Sequence, residues 1–142
     1  MQPSFVISEL RRLIGPEWRD EWSVCQAAWV KVSGFAMTAG VTETEAYDLI
    51  GEALARAYAL GQTSYEDADL IANNLYGAWV LNRQSSDPPS PWPELFLEVY
   101  LAFDGGEYRR TDNPTHDPVV DCTDPAIAEI LKRLNASQET TG

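Results

Sequence analysis

A chain of 142 residues fits one compact domain, at about 100 to 200 residues per domain, and leaves little room for two independent cores. Its hydrophobic residues reach 44%, with five Trp, which supplies a packed core and excludes disorder as the main state. Twenty-two acids against ten Lys and Arg give a net charge of −12, which excludes autonomous binding to a phosphate backbone and favours a basic partner.

The spacing of Phe5, Val6, Leu10, Leu13 and Ile14 predicts a short amphipathic helix over Ser4 to Ile14, stopped by Gly15-Pro16. From Trp18 the large apolar residues fall at Trp18, Trp22, Cys25, Trp29, Val32 and Ala36. This ladder runs one core stripe along a second helix ending near Gly40. Thr42-Glu43-Thr44-Glu45 reads as a capping box, with the Thr42 hydroxyl accepting from the Glu45 amide and the Glu45 carboxylate reaching back to the Thr42 amide. The third helix continues to Leu60, and Gly61 suits the left-handed position after it. Ser64-Tyr65-Glu66-Asp67 starts a fourth helix, whose buried row is Ala68, Ile71, Ala72, Leu75 and Trp79 and whose end is near Arg83. The short link predicts that helices three and four form an antiparallel hairpin, with the alanines of helix three letting the two axes approach closely.

Four prolines between Ser85 and Pro93 predict an extended connector pinned by Trp92. Pro93 is suited to the first position of a fifth helix, with Leu95, Phe96, Val99, Tyr100 and Phe103 inward and Asp104-Gly105-Gly106 as its stop. A polar acidic loop follows. Asp124 or Thr123 then caps a last helix with Pro125 at its start and Ile127, Ile130, Leu131 and Leu134 inward. The expectation is an all-α single-domain bundle of about six helices over residues 1–135, with 136–142 as a frayed tail.

The opening Met1-Gln2-Pro3-Ser4-Phe5 carries no basic segment leading into an apolar stretch, so the expected location is cytoplasmic. No apolar run approaches the roughly 20 residues that span a bilayer, so no membrane partner is expected. Cys25 and Cys122 lack the spacing of a metal or redox motif and are expected to be free thiols.

No nucleophile–base pair, metal motif or phosphate-cradling loop carries chemistry, so no catalytic residue, metal or cofactor is assigned. His116 is the only histidine, in a turn flanked by Asn113, Thr115 and Asp117. Gly105-Gly106 lacks the pattern of a phosphate loop and lies among acids. Charge by segment says more. The first forty residues are neutral, residues 41–84 carry −5 and residues 85–142 carry −7. Glu43, Glu45, Glu66, Asp67, Asp69, Glu94 and Asp124 fall at predicted helix starts, where a negative charge gains about 0.3 to 1 kcal/mol. Capping leaves over Asp48 and Glu52, read as lying on the outer face of helix three, and Asp104, Glu107, Asp112, Asp117 and Asp121 in the loop. Glu52 pairs favourably with Arg56 at helical spacing. Arg109 and Arg110 lie among the loop acids, and the spacing there does not fit a calcium-binding loop.

Phe103-Asp104-Gly105-Gly106-Glu107-Tyr108, then Asp117-Pro118-Val119-Val120 and Thr123-Asp124-Pro125-Ala126-Ile127-Ala128-Glu129-Ile130-Leu131, resembles the end of a family of small bacterial helical domains, some of them regarded as immunity proteins that neutralise toxins deployed between bacteria. Cys122 stands where an aromatic precedes the Thr in that pattern. The resemblance implies a binding protein without catalysis. The expected function is therefore a cytoplasmic immunity-type inhibitor that engages a basic toxin domain through Asp48, Glu52, Asp104, Glu107, Asp112, Asp117 and Asp121. Two rivals remain: a small metal-dependent hydrolase or lyase using the loop carboxylates with His116, and a structural or adaptor subunit that buries the Trp-rich N-terminal region.

Overall fold

The computed structural model describes residues 2–13, 21–83, 89–107 and 115–140, with the side chains of 13, 21, 22 and 138–140 excepted. Among these the elements are α1 (Pro3–Leu13), α2 (Glu21–Ala39), α3 (Glu43–Ala59), α4 (Tyr65–Arg83), α5 (Glu94–Asp104), a π-turn (Val119–Thr123) and α6 (Asp124–Thr140). The chain is an all-α helical bundle, with no strand among the described residues. None of these helices is long and apolar enough to cross a membrane. Trp18 and residues 85–88 of the Pro-rich connector lie outside the described residues.

The helix ends follow local chemistry. The Thr42 hydroxyl accepts the Glu45 N–H at 3.1 Å, and it donates its own proton to Glu45 Oε1 at 3.2 Å, where the expected capping box used the Thr42 amide. At the other end of α3, Gly61 takes φ +73°, and the N–H groups of Gly61 and Gln62 bond to Tyr58 and Ala57, which satisfies two otherwise orphaned carbonyls. Gly40 closes α2 in the same way, with Val41 N–H on Ala36. Ser64 Oγ caps α4 by accepting the Asp67 N–H at 3.2 Å.

Packing departs from the expected hairpin. α3 lies chiefly against α5, and α4 against α2, while α3 and α4 touch each other lightly. The close approaches show why. A Cβ at Gly51 would sit 3.0 Å from the Phe96 Cα, and one at Gly77 would sit 2.6 Å from the Cys25 sulfur. The small residues of α3 therefore admit α5, and Gly77 of α4 admits α2. Tyr47, fully buried, anchors the centre, edge-on to Trp79 at 5.1 Å and to Phe96 at 5.5 Å. Cys25, Val32 and Ala36 of the predicted α2 ladder are buried, while Trp29 is only half-buried and Ala28 and Phe35 complete the core face. Trp92 holds the connector, packed on Trp79 at 5.8 Å and covered by the Arg83 guanidinium at 4.8 Å.

Three expectations about the C-terminal third change. Pro93 caps α5 instead of opening it, and it brings no side-chain acceptor to that end. The last helical stretch begins before Asp124, through the π-turn, and Thr123 is buried with its hydroxyl donating to the Ala102 carbonyl at 2.7 Å rather than capping. The wide turn directly precedes Pro125, whose ring and missing N–H would disrupt an ordinary helical turn. Finally, α6 continues through residues 136–140, where a frayed tail was expected. Cys25 and Cys122 form no disulfide, the first being buried and the second half-buried.

Candidate functional site

Phe103, buried at the end of α5, is the pivot of the acidic end of the bundle. Tyr58 from α3 packs on its ring at 5.2 Å and Tyr65 from α4 at 6.3 Å. The Tyr65 hydroxyl donates to the Phe103 carbonyl at 2.7 Å, and the Tyr58 hydroxyl donates to Asp124 Oδ1 at 2.6 Å. Burial first, and then the Asp124 carboxylate with Glu66 and Asp117, hold the Tyr58 phenol above its usual range. Tyr65 is raised by burial and by Asp69, Glu107 and Asp104. Glu66 and Asp69 of α4, Asp104 and Glu107 at the end of α5, and Asp117 and Asp124 around the π-turn thus stand at one end of the bundle.

Gly106 makes this convergence sterically possible. A Cβ there would overlap Thr123 Oγ1 and sit 2.8 Å from the Tyr65 hydroxyl, so the turn after α5 presses directly on the π-turn and on α4. Gly105 and Gly106 both have negative φ, so they close α5 without the left-handed geometry of Gly40 and Gly61.

Most carboxylates of this end are placed where a helix favours them. Glu66 and Asp69 lie near the start of α4, and Asp117, Asp121 and Asp124 precede or open the last helical stretch. Asp117 Oδ1 accepts the N–H groups of Val119 and Val120 at 3.0 and 3.4 Å, which makes Asp117 the cap of the π-turn. Asp121 Oδ2 accepts the Asp117 N–H at 3.3 Å and meets His116 Nδ1 at 2.8 Å, while His116 Nε2 is buried with no partner among the described residues.

Asp104 and Glu107 are different. They stand at and just beyond the carbonyl end of α5, where the helix field disfavours a negative charge. Glu107 Oε1 accepts from Asn73 Nδ2 at 3.1 Å. Burial, and then Glu107 and Asp104, push the Asp69 carboxyl up to about 8, so that it retains its proton at neutral pH. The hydrogen bond from Asp69 in turn lowers Glu107. The result is a carboxyl–carboxylate pair beside a third acid, with Asp69 Oδ1 buried and without a hydrogen-bond partner among the described residues.

The other predicted site residues do not join them. Asp48 is half-buried and does not face outward. Its Oδ1 accepts the Phe96 N–H at 3.0 Å, and the Leu95 N–H also lowers its carboxyl against a larger upward push from burial. It thereby supplies to α5 the cap that Pro93 lacks. Glu52 meets Arg56 at 3.6 Å, the expected pair. Asp112, with Arg109 and Arg110, lies outside the described residues. The other ion pairs among the described residues are Arg12 and Lys31 on Glu9, Arg11 on Asp67 and Arg133 on Glu98.

Asp69 and Asn73 were missing from the predicted site. One helical turn apart on α4, they share a face, and that spacing was the available signal. What they face was set by the return of α5. Among the described residues no group of three His, Cys, Asp or Glu is arranged to hold a metal ion. Comparison with family models, with curated proteins and with solved structures gives no match.

Proposed function

We propose that this chain is a non-enzymatic binding protein of the immunity-inhibitor type, and that it receives a cationic surface of a protein partner at the acidic end of the bundle. One observation carries the reading. Asp104 and Glu107 are held at the carbonyl end of α5, where the helix field disfavours a negative charge, next to an Asp69 carboxyl that burial and these acids keep protonated. An arginine or lysine from a partner would turn that repulsion into attraction, and long-range complementarity would speed association. The C-terminal resemblance to immunity domains supports the same reading, since Asp104, Glu107 and Asp117 belong to the matching motifs.

The test compares the parent chain with Asp104→Lys plus Glu107→Lys, and with Glu52→Lys as a control away from the site, in affinity capture from the source cells. The expected partner is retained by the parent and the control at low salt. It is lost from the double variant, and from the parent as salt is raised. A partner bound equally by both forms with the same salt dependence would overturn the acidic-surface reading, as would a partner whose binding domain is not basic.

A further inference from the structure

The acidic end is neutralised in part by a proton of its own. Asp69 Oδ1 is buried and meets no donor among the described residues, so ionising Asp69 would leave a buried charge uncompensated on that oxygen. Glu107 lies across from it at the end of α5. Its Oε1 takes the Asn73 N–H at 3.1 Å, and its carboxylate accepts the proton of Asp69. Asp104 stands beside both. Three carboxyl groups in one place favour the form in which one stays neutral, and the group that lacks a donor is the one that does. Burial, and then Glu107 and Asp104, accordingly keep Asp69 protonated up to about pH 8.

Each described cation on α4 and on the helices packed against it is engaged elsewhere. Arg11 of α1 meets Asp67 at 3.9 Å and the Gln62 carbonyl at 3.4 Å. Arg12 of α1 and Lys31 of α2 go to Glu9, and Arg56 of α3 goes to Glu52. Arg83, at the far end of α4, donates to the Ser90 carbonyl and covers Trp92. Asp69 therefore faces Asp104 and Glu107 from α5, with Tyr65 and Asn73 from its own helix. A proton and an incoming cation compete for this place. A cation seated between the carboxyl groups stabilises the form in which Asp69 and Glu107 are both ionised, whereas a proton on Asp69 removes part of the charge that attracts the cation.

We propose that cation binding at the acidic end is coupled to a proton: a guanidinium or ammonium group of the partner enters between Asp69, Asp104 and Glu107 and displaces the proton that Asp69 gives to Glu107, which leaves to solvent. The inference rests on the acidic end being the binding surface, as proposed above, and adds how that surface is regulated. Binding tightens as pH rises, because Asp69 must lose its proton before the full charge acts, and it stops tightening above about 8.

The probe is an octa-arginine peptide, acetylated and amidated, whose guanidinium groups stay charged throughout the range. Titration calorimetry of the full chain near pH 7, in phosphate and in Tris, counts the protons released, because the two buffers differ in heat of ionisation. The parent is expected to release about one proton per bound peptide, and its affinity to rise about tenfold from pH 6 to pH 7 and to level off above about 8. Asp69→Asn keeps a donor toward Glu107 and leaves His116 in place. It is expected to bind as the parent does at low pH, with no proton released and little dependence on pH. A parent that binds without releasing a proton, or an Asp69→Asn chain that releases as many, overturns the coupling and leaves the acidic surface standing. A parent that does not bind the peptide overturns both, as does equal binding by Asp104→Lys plus Glu107→Lys.

Discussion

The two ends of α5 show how differently a carboxylate behaves according to what it meets. At the start, Asp48 reaches over from α3 and takes the amide protons of Leu95 and Phe96, groups that Pro93 cannot satisfy. At the end, Asp104 and Glu107 face the carbonyl pole of the same helix and the carboxyl of Asp69. An 11-residue helix is about 16 Å long, so the two environments share one rigid element and are still beyond each other's screened range. The first acid stabilises the fold. The second group instead keeps one carboxyl, Asp69, protonated beside the Glu107 carboxylate, and a carboxyl held far from its ordinary range is the feature that points to a site.

This contrast breaks most severely at Gly106. Gly106→Val drives a branched side chain into Thr123 and Tyr65, and it is expected to cost about 3 kcal/mol in urea unfolding while dispersing the acidic end. Next is Asp48. Asp48→Ala removes a helix cap and is expected to cost about 1 kcal/mol, whereas Asp48→Asn keeps an acceptor and recovers most of it. If Asp48→Ala were neutral, the assignment of Asp48 to the fold would fail.

The acidic end has its own signature in pH. The fold favours the protonated form of Asp69, so this contribution is fully present below the ordinary value of 3.8 and is lost as pH rises through about 8. Among the described residues, the groups facing it, Glu107 and Asp104 from the end of α5 and Asn73 and Tyr65 from α4, offer no cation to reverse that sign. Melting temperature is expected to fall as pH rises between the ordinary value of 3.8 and about 8 in the parent, to level off above that, and to be flatter over the same range in Asp69→Asn. The smallest effect belongs to Glu52, whose exchange for Gln loses a half-buried helical pair worth about 0.3 kcal/mol and changes neither end. A larger loss would mean that Glu52 does more than pair with Arg56.

Sequence reasoning located α3 and α4 closely because their boundaries are local events. Thr42 and Ser64 cap through a hydroxyl three residues from the amide they serve, and Gly61 stops α3 because it can adopt a positive φ. It failed where the deciding partner came from elsewhere in the chain. Pro93 looked like the first residue of α5 until an acceptor arrived from Asp48, and Thr123 looked like a cap until the Ala102 carbonyl took its proton. For the candidate site, the loop acids Asp104, Glu107, Asp117 and Asp121 were visible as surplus charge. Asp69 was hidden because a carboxylate near a helix start has an adequate local explanation, and Asn73, in the middle of α4, because it adds no charge to the surplus.

The amino-acid sequence by itself determined an all-α chain, the order of its helices and the confinement of negative charge to residues 41–142, because helical periodicity, caps and composition are properties of neighbours along the chain. Only the tertiary structure decided which carboxylates are spent on backbone amides and which are pressed together, since that depends on where α3, α4 and α5 cross. The physical reason is the short reach of a hydrogen bond and of an unscreened charge: at 3 to 4 Å, the meaning of an acid is set by whichever atom the fold brings beside it.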